Sequence, residues 1–198
     1  MSSTNRGYDR HKSDYYVTPI DKVVEFLNAF QTQEPNALRH GVILDPSAGG
    51  DEENPMSYPE ALEMVGVKDH RIHTIDIRED SRADVIGNYL ALDTSEILPE
   101  DPSVIITNPP FVLAEPIVEK ALRDVKPGGY VIMLLRLNFF GGKARNERFY
   151  PEVGMPKYAF VHHRRMSFTP DGKTDSIEYA HFVWQRGYDE DSTKLYVI

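Results

Sequence analysis

Apolar residues recur along the chain first at helical spacing and then in short runs. From position 20 to position 30 they fall on one face of a helix, which predicts an amphipathic helix over residues 19–30. Short apolar runs near 41–45, 71–77 and 103–107 predict strands. Because helix-length segments separate these strands, the pattern favours a parallel sheet with crossover connections.

The second half of the chain continues this alternation and then departs from it. Residues 113–125 have the pattern of a helix, which ends at a proline and two glycines before a strand over 130–137. Two later strands, over 158–166 and 177–184, are joined by a polar Pro-Asp-Gly loop that predicts an antiparallel pair. The predicted fold class is therefore α/β, with a doubly wound, mostly parallel Rossmann-like sheet that ends in an antiparallel hairpin.

The composition indicates one domain with a substantial core. Of the 198 residues, 40% are hydrophobic, and we expect the domain to span 15–186 between polar tails at 1–14 and 187–198. The absence of cysteine excludes disulfides, thiolate metal sites and cysteine nucleophiles. Because the apolar runs are only of strand length, we expect a cytoplasmic protein without a membrane span or a secretory signal.

The net charge of −9 opposes binding to a polyanion. Basic residues nevertheless gather at Lys143, Arg145 and Arg148 and again over 162–165. If they form one face of the protein, that face would attract nucleic acid. The alternative is surface charge that is scattered and has no binding role.

An apolar strand runs directly into Asn108-Pro109-Pro110-Phe111, and these residues predict methylation of an amino nitrogen. Pro109 holds Asn108 in an extended conformation, so the side-chain carbonyl of Asn108 is preorganised. Together with the backbone carbonyl of Pro109, it can accept both hydrogens of a planar amine and favour the pyramidal, nucleophilic form. Phe111 offers a planar substrate a stacking face. A buried strand that ends in a proline turn is the structural alternative.

Two further strands end in residues suited to a nucleoside-like ligand. Residues 41–50 form a buried strand followed by Ala48-Gly49-Gly50, a turn at which backbone can approach a ligand closely. Asp76 lies near the end of the next strand, where a carboxylate can bind the two hydroxyls of a ribose. A solvated residue at a strand end is the alternative for Asp76.

In this order, the motifs resemble those of the class I S-adenosylmethionine-dependent methyltransferases. The resemblance covers roughly residues 15–185 and is closest to the amino-methyltransferases with Asn/Asp-Pro-Pro-aromatic, which include the DNA N6-adenine enzymes. It implies S-adenosylmethionine as cofactor, with Asp76 on the ribose and Asn88, followed by Tyr89, at the adenine. It places four residues at the methionine end of the cofactor, namely Asp45, Ser47, Ala48 and Gly49.

The aromatic-x-Thr-Pro element of many DNA adenine methyltransferases has a counterpart upstream of the first strand. It places Tyr16 and Thr18 close to the cofactor, and Thr18 also suits a helix N-cap with Pro19 at the first helical position. The chain departs from the family after Gly50, where the acidic segment 51–54 replaces the usual glycine turn. This loop either neutralises a positive charge of the cofactor or is solvated.

The segment 138–156 mixes aromatic and basic residues after the end of a strand. Lys143, Arg145 and Arg148 would neutralise phosphates, and the neighbouring aromatic rings would stack on bases. Phe168 occupies the place where the resemblance puts an aromatic side chain against an extruded base. The alternative is that the aromatic residues belong to the core and the cations are solvated.

The resemblance implies methyl transfer to N6 of an adenine turned out of DNA, with no metal and no covalent enzyme intermediate. The same chemistry on an RNA base or a protein glutamine amide is a second hypothesis. A third is a non-catalytic protein of this fold that binds nucleic acid or a partner protein. A partner chain or a homodimer could supply target recognition, because the sequence contains no evident region for it.

Overall fold

An eight-stranded mixed sheet with helices on both faces forms the framework of the protein. The computed structural model describes residues 17–168, 174 and 176–198. The strands in these ranges are β1 (Ile43–Asp45), β2 (Ile72–Asp76), β3 (Val85–Ile86), β4 (Val104–Thr107), β5 (Tyr130–Arg136), β6 (Tyr158–Val161), β7 (Tyr179–Gln185) and β8 (Lys194–Val197). The α-helices are α1 (Ile20–Gln33), α2 (Ser57–Met64), α3 (Ala114–Asp124) and α4 (Tyr150–Val153). Over the same ranges, no helix combines the length and the apolar character needed to cross a bilayer.

The strand order in the sheet is β3-β2-β1-β4-β5-β7-β6-β8. The first five strands of this order are parallel, whereas β7 runs antiparallel to both β5 and β6. This confirms the predicted fold class, a mostly parallel doubly wound sheet that ends in an antiparallel hairpin. The carboxyl ends of β1, β2 and β4 therefore meet at one edge of the sheet.

The outermost strand, β8, lies within the segment 187–198 that the sequence analysis describes as a tail. It pairs in parallel with β6, and the ring of Tyr196 stacks on that of Phe160 with 5.1 Å between centroids. The alternation of residues in β8 does not mark a buried face, because its apolar residues Leu195 and Val197 are the exposed ones. A strand was therefore difficult to predict from this segment. Part of the C-terminal segment thus belongs to the sheet.

Two apolar layers hold the helices against the sheet. On one face, Phe26 and Phe30 of α1 pack with Leu62 of α2, and on the other face Val118 and Ala121 of α3 are buried. All five side chains are fully buried. Burying a large apolar side chain contributes about 1.5–3 kcal/mol, so these layers fix the strand ends that carry the site.

Aromatic residues between β5 and β6 belong to the second layer. The Phe139 ring lies 5.7 Å from that of Phe149, and the Tyr150 hydroxyl donates to the Phe139 carbonyl at 2.9 Å. Phe149 is fully buried, and Phe139 and Tyr150 are nearly so. These three aromatic side chains therefore belong to the core and are not available to stack on bases.

Candidate active site

A cavity lies at the edge where the carboxyl ends of β1, β2 and β4 meet, which is where open α/β sheets bind ligands. Most residues predicted for catalysis and cofactor binding line it, namely Thr18, Ser47, Ala48, Asp76, Asn88, Tyr89, Asn108, Pro109, Pro110 and Phe111. Asp45 and Gly49 are chain neighbours of lining residues. Tyr16 lies outside the described residues. The fold thus brings together segments that are far apart in the sequence.

The side-chain amide of Asn108 is held by Thr18. Asn108 Nδ2 donates to Thr18 Oγ1 at 3.0 Å, and Thr18 is buried. Because the amide nitrogen is engaged, the carbonyl oxygen Oδ1 is the end that remains for an external donor. The interpretation of Thr18 as an N-cap is wrong, since Pro19 occupies the cap position of α1 and no side chain caps that helix.

Phe111 lies in an aromatic and cationic cluster at the rim of the cavity. Its ring centroid is 6.0 Å from that of Tyr179, and the guanidinium carbon of Arg136 lies 4.8 Å above the ring. Phe168 packs edge-on against Tyr179 at 5.0 Å. Phe168 and Phe111 therefore pack against the same ring, that of Tyr179, and a contact of Phe168 with a substrate stays a prediction. Sequence reasoning missed Arg136 and Tyr179, which face each other across β5 and β7.

Asp45, the last residue of β1, is fully buried. Its Oδ1 accepts from the backbone N–H of Ser47 at 3.1 Å, while Oδ2 has no hydrogen-bond partner among the described residues. Burial raises the pKa of the Asp45 carboxyl to about 7, and the nearby carboxylate of Asp76 acts in the same direction. The Thr107 hydroxyl opposes this shift in pKa, although it makes no hydrogen bond of good geometry to any residue that the structure describes. An oxygen of this kind suits a positively charged or proton-donating ligand.

The carboxylate of Asp76 holds the glycine turn after β1. Asp76 Oδ2 accepts from Gly49 N at 2.7 Å, and Oδ1 accepts from Arg78 N at 2.8 Å. Gly49 and Gly50 have φ of 66° and 71°, and a Cβ on Gly50 would approach Met56 Cγ to 2.5 Å. The turn therefore requires glycine, and each carboxylate oxygen keeps a second lone pair for a ligand hydroxyl.

Asn88 and Tyr89 have structural roles beside the cavity. Asn88 Oδ1 accepts from Leu90 N at 3.1 Å, which caps a short turn. The Tyr89 hydroxyl donates to Asp124 Oδ2 of α3 at 2.9 Å, and its ring is buried. The Tyr89 side chain is thus committed to packing on α3, while the exposed Asn88 keeps its amide nitrogen as a donor.

Two apolar residues that the sequence analysis did not select also line the cavity. Ile77 is 61% exposed and Leu113 is 41% exposed, although both are large and apolar. Exposed apolar side chains on a cavity wall gain free energy when a flat ring covers them. The sequence signal was one of position alone, since Ile77 directly follows Asp76 and Leu113 lies two residues after Phe111.

The side chain of Asp51 holds the acidic loop after Gly50 in place. Asp51 Oδ1 accepts from the backbone N–H groups of Glu53 and Asn54 at 2.9 Å and 2.8 Å. Arg78 forms an ion pair with Asp51 at 3.7 Å, and Glu52 and Glu53 are exposed. These contacts favour the solvated loop over a direct role with a ligand.

The basic residues after β5 lie beside α3, and acidic residues pair with them. Arg145 Nη1 lies 3.2 Å from Glu115 Oε1, and Arg148 Nη2 lies 3.4 Å from Glu115 Oε2. Lys143 is 3.8 Å from Glu147. These residues do not line the cavity, and their local charge is partly neutralised.

A buried polar chain leads from the cavity toward α1. Tyr58, which lines the cavity, bonds to His181 Nε2 at 3.0 Å, and His181 Nδ1 bonds to His162 Nε2 at 2.9 Å. Burial lowers the pKa of His162 to about 4, and burial also holds the pKa of His181 well below its usual value. Both rings are therefore neutral at pH 7, and the chain joins α2 to β7 and β6.

Among solved structures, the fold is similar to those of methyltransferases. A Pyrococcus horikoshii protein assigned as an RNA methyltransferase aligns over 93% of this chain and 93% of its own, with 14% identity and a TM-score of 0.62. A Listeria monocytogenes protein assigned as a class I S-adenosylmethionine-dependent methyltransferase aligns over 92% of this chain and 65% of its own, with 16% identity and a TM-score of 0.57.

The M protein of the type I restriction enzyme EcoKI is a further structural neighbour. It aligns over 92% of this chain with 15% identity and a TM-score of 0.58, and this chain spans only 48% of its length. No family model matches the chain, and no curated protein matches its sequence. At these identities, the likeness establishes the Rossmann-like methyltransferase fold.

Proposed function

We propose that this protein transfers the methyl group of S-adenosylmethionine to the N6 amino group of adenine in DNA. The observation that carries the proposal is the hydrogen bond from Asn108 Nδ2 to Thr18, which leaves Asn108 Oδ1 as an oriented acceptor beside the cavity. An acceptor alone would suit many ligands. Its position in an Asn-Pro-Pro-Phe turn at the edge of a methyltransferase fold favours an amine substrate.

The residues around the cavity fit S-adenosylmethionine. The cofactor carries positive charge, and Asp45 has a fully buried carboxyl oxygen without a partner among the described residues. Its ribose has two hydroxyls, and Asp76 lines the cavity with lone pairs to accept from them. Ile77 and Leu113 give its adenine apolar surface to cover, and Asn88 has an amide donor beside them. When bound, the cofactor supplies an activated methyl group.

The catalytic task of the protein is to orient the amine and to accept its hydrogens. Asn108 Oδ1 and the Pro109 carbonyl would accept one hydrogen each, which favours the pyramidal nitrogen that attacks. Phe111 would stack on the base and hold the amine in line with the methyl group. Neither acceptor is a strong base, so the protein contributes position and electrostatic stabilisation.

Two observations support DNA as the proposed substrate: the resemblance of the Asn-Pro-Pro-Phe turn, and the similarity of the fold to the M protein of a type I restriction enzyme. An RNA base is the second candidate, because the Pyrococcus horikoshii protein assigned as an RNA methyltransferase matches along nearly its whole length. Extruding a base costs a few kcal/mol, which stacking on Phe111 and Phe168 would offset.

The test is methylation with labelled cofactor on separate substrates. Pure protein is incubated with duplex DNA, single-stranded DNA, RNA and a protein extract, and labelled nucleic acid is digested to nucleosides. We expect label in DNA as N6-methyl-2′-deoxyadenosine, with far less from Asn108→Ala protein in the same time. Label in RNA would favour the second candidate, and label in protein would favour a glutamine amide. Absence of transfer to all four would leave the non-catalytic hypothesis.

The affinity for S-adenosylmethionine is expected to rise by about fivefold to tenfold between about pH 6 and about pH 8. Burial raises the pKa of Asp45 to about 7, so the carboxyl is largely neutral below that pH. A cationic ligand favours the carboxylate, so binding releases a proton below the pKa and strengthens as pH rises through about 7. Calorimetric titration at three pH values measures the effect.

Asp45→Asn is the control for this pH dependence, because an amide is neutral at every pH. Any pH dependence of affinity that this variant shows comes from groups other than Asp45. Equal pH dependence in the wild type and in Asp45→Asn would contradict a role for Asp45 near the positive charge.

A further inference from the structure

Arg136 lies above the ring of Phe111, one of the residues that line the cavity. Its guanidinium carbon is 4.8 Å from the ring centroid. It is the last residue of β5, and its backbone pairs with Tyr179 of β7, while its side chain is exposed. The sheet thus fixes the origin of this side chain and leaves the charged end accessible from solvent.

Arg136 contacts an aromatic ring, whereas two other arginines after β5 form ion pairs with a carboxylate. Arg145 and Arg148 share Glu115 at 3.2 Å and 3.4 Å. Within residues 17–168, 174 and 176–198, no carboxylate lies within ion-pair distance of Arg136, and its contact is with the Phe111 ring. A cation–π contact at an exposed site is weak compared with a charge-assisted hydrogen bond to phosphate. An incoming anion can therefore displace it at little cost.

We infer that Arg136 binds the backbone phosphate next to the target base. This inference rests on the proposed function, because it requires a nucleotide whose base stacks on Phe111. In a nucleotide, one sugar separates the base from its phosphate, so a base on Phe111 brings a phosphate close to the side chain above that ring. Arginine presents a planar fork of N–H donors that matches two phosphate oxygens.

Arg136 is then the cation that contributes most to substrate binding. Lys143, Arg145 and Arg148 were the candidates from sequence, but their charges are shared with Glu115 and Glu147. Arg136 makes no such ion pair among the described residues and touches a residue of the catalytic turn. Its charge is thus available to an anion at the point where the substrate would enter.

The experiment measures binding of fluorescent duplex and single-stranded DNA over a series of salt concentrations. In Arg136→Gln, we expect the slope of log affinity against log salt to fall by up to about 0.9 for duplex DNA and about 0.7 for single strands. Affinity near 0.1 M salt should fall by roughly fivefold to tenfold. Arg136→Lys should keep the slope and lose part of the affinity, because its charge stays and the fork is lost.

Arg39→Gln is the matched control. It removes the same charge from an exposed arginine between α1 and β1, at the opposite edge of the sheet, and should leave the slope unchanged. If cofactor affinity and the thermal unfolding midpoint of Arg136→Gln equal those of the wild type, the fold and the cofactor site of the variant are intact.

An unchanged slope in Arg136→Gln, with DNA still methylated by the wild type, would overturn the inference and leave the proposed function standing. A reduced slope in Arg136→Gln alone would support the phosphate contact. That result would stand even if no nucleic acid were methylated, in which case the proposed function alone would fail.

Discussion

Replacing Asn108 with alanine is expected to lower the single-turnover rate of methyl transfer by about a hundredfold to a thousandfold, or roughly 2.7–4 kcal/mol. The lost carbonyl serves the amine in the transition state, so the affinity for cofactor should change little. Single-turnover methylation with saturating enzyme measures the rate, and calorimetry measures cofactor binding.

Two variants make this prediction specific to the Asn108 carbonyl. Asn108→Asp keeps an acceptor oxygen at the same place and should retain part of the activity. Thr18→Val keeps the shape of Thr18 and removes the hydroxyl that accepts from Asn108 Nδ2, so it should give a smaller loss of rate than Asn108→Ala. Equal rates for the wild type and all variants would sink the catalytic assignment of this turn.

Replacing Asp76 with asparagine is expected to weaken cofactor binding by about tenfold to a hundredfold for each ribose hydroxyl that loses a charge-assisted bond. Each carboxylate oxygen accepts from one backbone N–H group, Oδ2 from Gly49 and Oδ1 from Arg78. The amide oxygen keeps one of these two hydrogen bonds, whereas Asp76→Ala keeps neither, so the turn should persist better in Asp76→Asn. Isothermal titration measures the dissociation constant.

Asp84→Asn is a control matched to Asp76→Asn. Asp84 Oδ2 also accepts two hydrogen bonds from β2, from the backbone N–H and the hydroxyl of Thr74 at 2.9 Å and 2.8 Å, but it does not line the cavity. Its replacement should lower stability and leave cofactor affinity unchanged. If both variants weaken cofactor binding equally, the effect of Asp76 is structural and the ribose assignment is wrong.

Six strands could be predicted from the sequence, β1, β2, β4, β5, β6 and β7, because each carries a local signal that β8 lacks. Asp45, Asp76 and Asn108 each end or directly follow an apolar run, and parallel strands bring such positions to one edge. The assignment of Asp76 to a ribose and of Asn108 to an amine stays a prediction. That Asp76 and Asn108 line one cavity could be anticipated, because each lies at the end of a strand that the sequence predicts.

Features that depend on distant partners could not be predicted in this way. Arg136 faces Tyr179 only because of the register between β5 and β7, which no motif encodes. The acceptor of the Asn108 amide is Thr18, whose local context instead suggested a helix cap. The buried rings of Phe139 and Phe149 have the same sequence pattern as rings that stack on bases, and only the packing separates the two.

The hydrogen bond between Asn108 and Thr18 joins residues 90 positions apart in the chain. The orientation of the proposed acceptor is therefore a property of tertiary docking, since it exists only while the residues just before α1 lie against the end of β4. A local opening that detaches this part of α1 would release the amide and silence methyl transfer, even with β1, β2 and the glycine turn still folded. Catalytic rate would then report on partial unfolding at lower temperatures than any loss of secondary structure.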